Sequence, residues 1–236
     1  MARAETPIID TTAGTASFLS KRWARYSTVF ILLGIGVLLL LVLNVALGSV
    51  SIPLGDTVSI LINGETSNDT YGPIIWSIRL PRAIGAIISG SALAVAGLVL
   101  QVFFRNPIVG PYILGISSGS SFVVSLFILT GFTVGASSIS SLSLSLFAFI
   151  GAIMVMLLIM AVASRVKSVI TLLVIGLMVG FTASAMTSFL IAFAESENVH
   201  RFVVWTMGSF SGMNWEEVSI LAVAGGLLMV AAYFYT

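Results

Sequence analysis

The sequence predicts an all-α, polytopic transmembrane helical protein, and three observations predict it. Of 236 residues, 58% are hydrophobic and only 8% charged, whereas a soluble globule carries about 25% charged residues. Mean hydropathy is +1.14. Six apolar runs are separated by polar segments, and each run is long enough, at about 1.5 Å per residue, to cross a hydrocarbon core of about 30 Å. The same composition excludes other classes. A net charge of +1 offers no basic surface to nucleic acid. Zero cysteines exclude disulfides, Fe–S clusters and thiolate zinc sites, and the single His200 forms no imidazole cluster. No resident metal or cofactor is therefore expected in this chain, and any metal it handles is cargo.

Residues 1–28 are polar, carry Arg3, Lys21, Arg22 and Arg25, and precede a membrane domain expected over 29–236. Residues 29–50 form the first span, too long for a signal-peptide core and without a convincing small-residue cleavage site. Within 51–78, Pro53 to Ile62 is expected as a short interfacial helix and the remainder as a loop. Arg79 and Arg82 stand one turn apart, with Pro81 expected in the first turn of a helix, where its missing N–H is not needed. Span two, 83–104, ends at Arg105-Asn106-Pro107, where charge, turn former and helix breaker coincide; Pro111 follows. Span three is expected over 112–132, then an uncharged connection over 133–141. Span four, 142–163, is closed by Arg165 and Lys167, and span five covers 169–194. An acidic turn over 195–201 and an aromatic, interfacial segment from Trp205 to Trp215 lead into span six, from near Glu217 to Thr236.

Basic residues set the orientation. With the N-terminus in the cytoplasm, seven of the ten Lys and Arg fall inside, and only Arg79, Arg82 and Arg201 outside. None of the six proposed spans has a charged residue or histidine in its interior. A charge at the bilayer centre costs about 2.5–3.5 kcal/mol on insertion scales, so proton relays and voltage sensors show theirs. Uphill transport by this chain would need energy from elsewhere, and no GxxxxGK[ST] phosphate loop occurs in it.

The series R-L-P-R from Arg79, G-x-x-L-Q from Gly97 and R-N-P-I-x-x-P-x-x-L-G-x-x-x-G from Arg105, with W-x-x-G-S-x-x-x-x-x-W from Trp205, resembles the FecCD or BtuC-like family. Its members are permease subunits of ATP-driven importers for iron-siderophores, haem and cobalamin. The resemblance runs from about Ser51 onward. It implies a cell-membrane permease, plasma or inner, working as a homodimer. Its partners would be an ABC ATPase subunit that holds ATP and Mg, and an extracytoplasmic substrate-binding protein. It implies docking of glutamates of that protein on Arg79 and Arg82, whose bland alternative is a pair of interfacial charges. It implies a cytoplasmic gate at Asn106, Pro107 and Ile108, where the family usually has leucine, and more loosely at Ser168 and Thr171 of the 167–171 turn.

Gly176, Gly180, Ser184 and Ser188 recur every four positions along span five, which reads equally as close helix packing or as a weakly polar pathway. The resemblance implies that this helix lines the path, with Thr182, Ser184 and Ser188 on it. His200 reads as solvated, and Trp205 and Trp215 as interface anchors. The family pattern has about ten spans of about 20 residues, with a coupling helix after the sixth, so a truncated or split sequence is expected. Two alternatives stand beside the importer: an ion-coupled secondary transporter or channel, and a non-transporting membrane remnant.

Overall fold

A computed structural model describes residues 11–64, 70–131, 141–166 and 168–235. The described residues are helical or lie in turns, and they contain α1 (Thr11–Ala46), α2 (Leu54–Asn63), α3 (Tyr71–Ile74), a π-turn (Ile75–Arg79), α4 (Leu80–Phe104), α5 (Ile116–Leu129), α6 (Ser141–Ala163), α7 (Val169–Phe193), α8 (Ser196–Met207) and α9 (Trp215–Tyr235). Among the described residues, five stretches are long and apolar enough to span a membrane: Arg22–Ala46, Tyr71–Phe104, Ser141–Ala163, Val169–Phe193 and Trp215–Phe234. The chain is a multi-pass membrane protein. It divides into two compact units, 1–83 and 84–236.

In the first unit α2 packs on the end of α1. Gly64 ends α2 in the left-handed region at φ 72° and donates to the Ile60 carbonyl at 3.1 Å, the usual glycine stop. Val45, Ile52, Thr57, Ile60 and Ile75 are buried together in this unit. The loop expected up to Ile78 is instead helical from Tyr71, so Pro81 lies inside a helix rather than in its first turn. The π-turn explains how. A proline cannot donate to the carbonyl four residues back and clashes with it. Here the Leu80 N–H reaches back five residues to Ile75, and this wider turn carries the helix past the proline without a break.

The second unit is organised around α5, which packs on α6, α7 and α8. Span three was expected over 112–132, but α5 has only 14 residues, about 21 Å at 1.5 Å per residue, and begins after a turn at 111–115; residues 132–140 lie outside the described set. Its start is set by Gly115, whose φ of 71° disfavours any side chain and whose absent Cβ would sit 2.7 Å from the Gly180 nitrogen and 2.8 Å from the Gly176 oxygen. Backbone therefore meets backbone, and a helix this short is held by its neighbours instead of by its own length. The acidic turn expected at 195–201 is helix α8, which an exposed Glu197–Arg201 pair at i, i+4 and 2.5 Å accompanies.

Two apolar clusters anchor the ends of α5. Phe104, Val109, Leu114, Val155, Ile159 and Leu172 form one, and Val124, Ile128, Leu129 and Phe202 the other. On α9, Asn214 and Glu217 cap reciprocally: the Glu217 N–H donates to Asn214 Oδ1 at 2.9 Å and the Asn214 N–H to Glu217 Oε2 at 3.3 Å. At the end of α4, Asn106 N–H donates to the Gln101 carbonyl at 3.0 Å and Arg105 N–H to that of Val102 at 3.2 Å. This is a Schellman stop, with Arg105 at φ 47° in the place normally given to glycine.

These contacts predict two outcomes in thermal unfolding of the detergent-solubilised protein. A Cβ at Gly176 would lie 3.0 Å from Leu114 Cα and 3.1 Å from the Ile113 oxygen, while at Gly97 nothing lies within 4 Å. Gly176→Val should cost about 1–3 kcal/mol and lower the midpoint well below that of Gly97→Val; equal midpoints would refute the close contact. Arg105→Gly should raise the midpoint, since a left-handed non-glycine residue costs roughly 1–2 kcal/mol, and Arg105→Val should lower it.

Candidate gate, pathway and docking residues

The elbow after α4 leaves two neighbouring apolar residues in opposite environments. Asn106 Oδ1 accepts from the Ile108 N–H at 3.0 Å, and the Asn106 carbonyl accepts from Val109 N–H at 3.4 Å, so the asparagine side chain replaces one bond of a turn around Pro107. Val109 is driven into the apolar cluster at 2% exposure, while Ile108 is left at 81%. An exposed branched side chain on a braced turn is the form that an apolar plug needs. Tyr112, 82% exposed on the same elbow, was not singled out by the sequence, where it reads as the start of a span.

Ser168 has a plain local task. Its Oγ accepts from the Thr171 N–H at 3.4 Å and caps α7; both residues are exposed. Lys167 lies outside the described residues. The first turn of α7 and the elbow share one apolar cluster through Leu172, Phe104 and Val109, so the two candidate gate segments are brought to the same end of the second unit.

The candidate path residues do not share a face. The buried stripe of α7 is Leu172, Gly176, Gly180, Ala183 and Thr187; it leaves the four-residue spacing after Gly180 and continues one position before Ser184 and Ser188. At about 100° per residue, Ser184 and Ser188 flank this stripe on one side and Thr182 on the other. Ser184 Oγ lies 3.3 Å from Ser118 Oγ on α5. Thr182 donates to the Met178 carbonyl at 2.8 Å, Thr187 to Ala183 at 3.0 Å and Ser188 to Ser184 at 3.0 Å. Of the small-residue series, Gly176 and Gly180 serve close packing against Leu114 and Gly115; Thr187, buried at 8% exposure, is a member that a strict four-residue count misses. His200 is exposed on α8, Trp205 is half-buried against Phe202 with centroids 6.2 Å apart, and Trp215 is 42% exposed.

The two arginines also part company. Arg79 is buried at 7% exposure, and its Nη1 donates to the carbonyls of Val45 and Ala46 at 2.7 Å each, while Nη2 donates to that of Val50. Arg82 is half-buried. Among the described residues no group of three or more acidic, histidine or cysteine side chains is placed to hold a metal ion.

Comparison with known proteins agrees with this architecture. Residues 32–236 match the FecCD transport family. The chain is 34% identical over 181 residues to the vitamin B12 import system permease protein BtuC of Serratia proteamaculans, covering 76% of this chain and 52% of that protein. It is 33% identical over 196 residues to the hemin transport system permease protein HmuU of Yersinia pestis, covering 83% and 58%. It is 32% identical over 194 residues to the molybdate import system permease protein MolB of Haemophilus influenzae, covering 80% and 56%. A solved inward-facing structure assigned to the metal-chelate type of ABC transporter superposes with a TM-score of 0.69 at 28% identity, over 86% of this chain and 60% of that one. The chain thus spans somewhat over half the length of the relatives it matches. With the family match reaching from the first apolar helix to the last, the chain belongs to the FecCD transport family.

Proposed function

We propose that this chain is the membrane-spanning permease part of an ATP-driven importer that moves a metal-bearing chelate of the iron-siderophore, haem or cobalamin kind inward. The observation that carries this reading is the family match over residues 32–236. The functions of relatives, import of vitamin B12, hemin and molybdate, support a permease and do not agree on one cargo. The permease performs no covalent chemistry: a partner ATPase holds ATP and Mg and drives a homodimer of permeases, each with its N-terminus in the cytoplasm. Apolar spans that lack a proton relay in the sequence favour an external energy source over ion coupling.

On this reading Asn106 and Pro107 brace a cytoplasmic gate and Ile108 closes it, with Ser168 and Thr171 of the neighbouring turn contributing to it more loosely. Thr182, Ser184 and Ser188 belong to the surface along which the cargo moves. Arg79 and Arg82 supply the docking charge for an acidic edge of the binding protein, since rim charges set the association rate and orientation of such complexes.

Two measurements test the reading. The polypeptide made from the native gene, reconstituted in vesicles with its ATPase and binding protein, should take up chelate when ATP is supplied and continue after ion gradients are collapsed; uptake that follows the ion gradient would replace it with a secondary transporter. In the same vesicles Ile108→Ala should raise ATP hydrolysis in the absence of cargo, or let cargo leak outward. Unchanged hydrolysis and leakage would remove Ile108 from the gate.

A further inference from the structure

We propose that Arg79 is the C-terminal clamp of α1, a positioning residue that fixes the elbow between α1 and α2. The clamp stands independently of the import reading, because it rests on contacts inside residues 45–79.

The last carbonyls of a helix have no N–H four residues ahead to accept from, and in a membrane protein little water reaches them. At the end of α1 the Leu47 N–H still bonds the Leu43 carbonyl at 2.8 Å. The Val45 and Ala46 carbonyls both accept from Arg79 Nη1, and the Val50 carbonyl, on the far side of the turn, accepts from Nη2. One guanidinium thereby holds the end of the helix and the start of the following segment. Its charge also meets the negative end of the helix dipole.

Gly48 is an independent sign of the same arrangement. A Cβ there would lie 2.7 Å from Nη2 and 2.8 Å from Cζ of Arg79, closer than side chains pack. The turn V-A-L-G-S-V from Val45 to Val50 is therefore wrapped around the guanidinium, with glycine where the plane of the group passes.

Arginine suits this place and lysine does not. A planar fork presents several fixed N–H groups, whereas an ammonium is a point charge on a flexible stem. Because all three acceptors are main-chain carbonyls, the clamp reads the shape of the turn and not the side chains at 45, 46 or 50. The π-turn ends at Arg79 and lies against α1. A guanidinium so engaged is only 7% exposed, held by main chain and not by another side chain.

The chain has no cysteine, so a single reporter is clean. Ala46 is 3% exposed, and Ala46→Cys should react slowly with a maleimide in membranes. Adding Arg79→Gln should speed the reaction by about tenfold or more, as expected for loss of charged hydrogen bonds, while Arg82→Gln should leave it at the parent rate. Free guanidinium ion should restore protection to Arg79→Ala where equal sodium chloride does not, a rescue that a mere packing role would not give. Gly48→Ala, which keeps the arginine and only displaces it, should accelerate labelling too, and carries the test if Arg79→Gln does not reach the membrane. Parent-rate labelling in Arg79→Gln and Gly48→Ala, or equal acceleration by Arg82→Gln, would overturn the clamp. No docking by the parent protein would end the import reading and leave the labelling result untouched.

Discussion

Helix ends leave orphaned backbone groups that a membrane protein must satisfy, and at five of its helix ends this chain does so with five different devices. A guanidinium closes α1. A left-handed glycine closes α2. A Schellman turn with arginine at its left-handed position closes α4. A serine hydroxyl opens α7 and an asparagine–glutamate box opens α9. In a medium where an unpaired N–H or carbonyl costs several kcal/mol, such ends fix where helices stop. Hence they fix the elbows on which the candidate functional residues stand.

The gate elbow shows how this constraint shapes a site. Four bonds hold residues 105–109: the Arg105 and Asn106 N–H groups return to α4, Asn106 Oδ1 takes the Ile108 N–H, and the Asn106 carbonyl takes the Val109 N–H. With the main chain so held, Val109 turns inward and Ile108 outward. The exposure of Ile108 is thus a product of turn chemistry and not of local flexibility. The left-handed Arg105 fits the same view, since a basic residue at the expected cytoplasmic edge serves orientation while glycine would serve only the turn.

What the sequence made legible follows from what each signal measures. Apolar run length located α1, α4, α6, α7 and α9, because the hydrocarbon core demands length. It misjudged α5, since the 112–132 run is equally apolar whether it spans lipid or ends early against neighbouring backbones, and only Gly115 at positive φ with Gly176 and Gly180 opposite decides between these. Pro81 signals a helix start in isolation; a π-turn that admits it mid-helix leaves no composition mark. The glutamates at 195 and 197 read as a solvated turn, yet Glu197 and Arg201 sit at helical spacing. The asparagine and glutamate three residues apart at 214 and 217 have the spacing of a capping box, a signal that went unread in the sequence. The burial of Arg79 was not legible, for its partners are carbonyls and carbonyls have no letter in a sequence.

The hydroxyls of α7 carry the last step. Thr182 and Ser188 each donate to a carbonyl of their own helix one turn back, and such back-bonding turns the donor inward. Ser184 instead faces Ser118 across to α5. A hydroxyl engaged this way shows its neighbours mainly carbon and acceptor lone pairs, with no free donor. Were α7 to line a path for a bulky chelate, its surface would be polar enough to stay wetted and too poor in free donors to hold the cargo. Selectivity would then have to reside in a protein that meets the cargo first, which is the arrangement an importer with a separate binding protein requires.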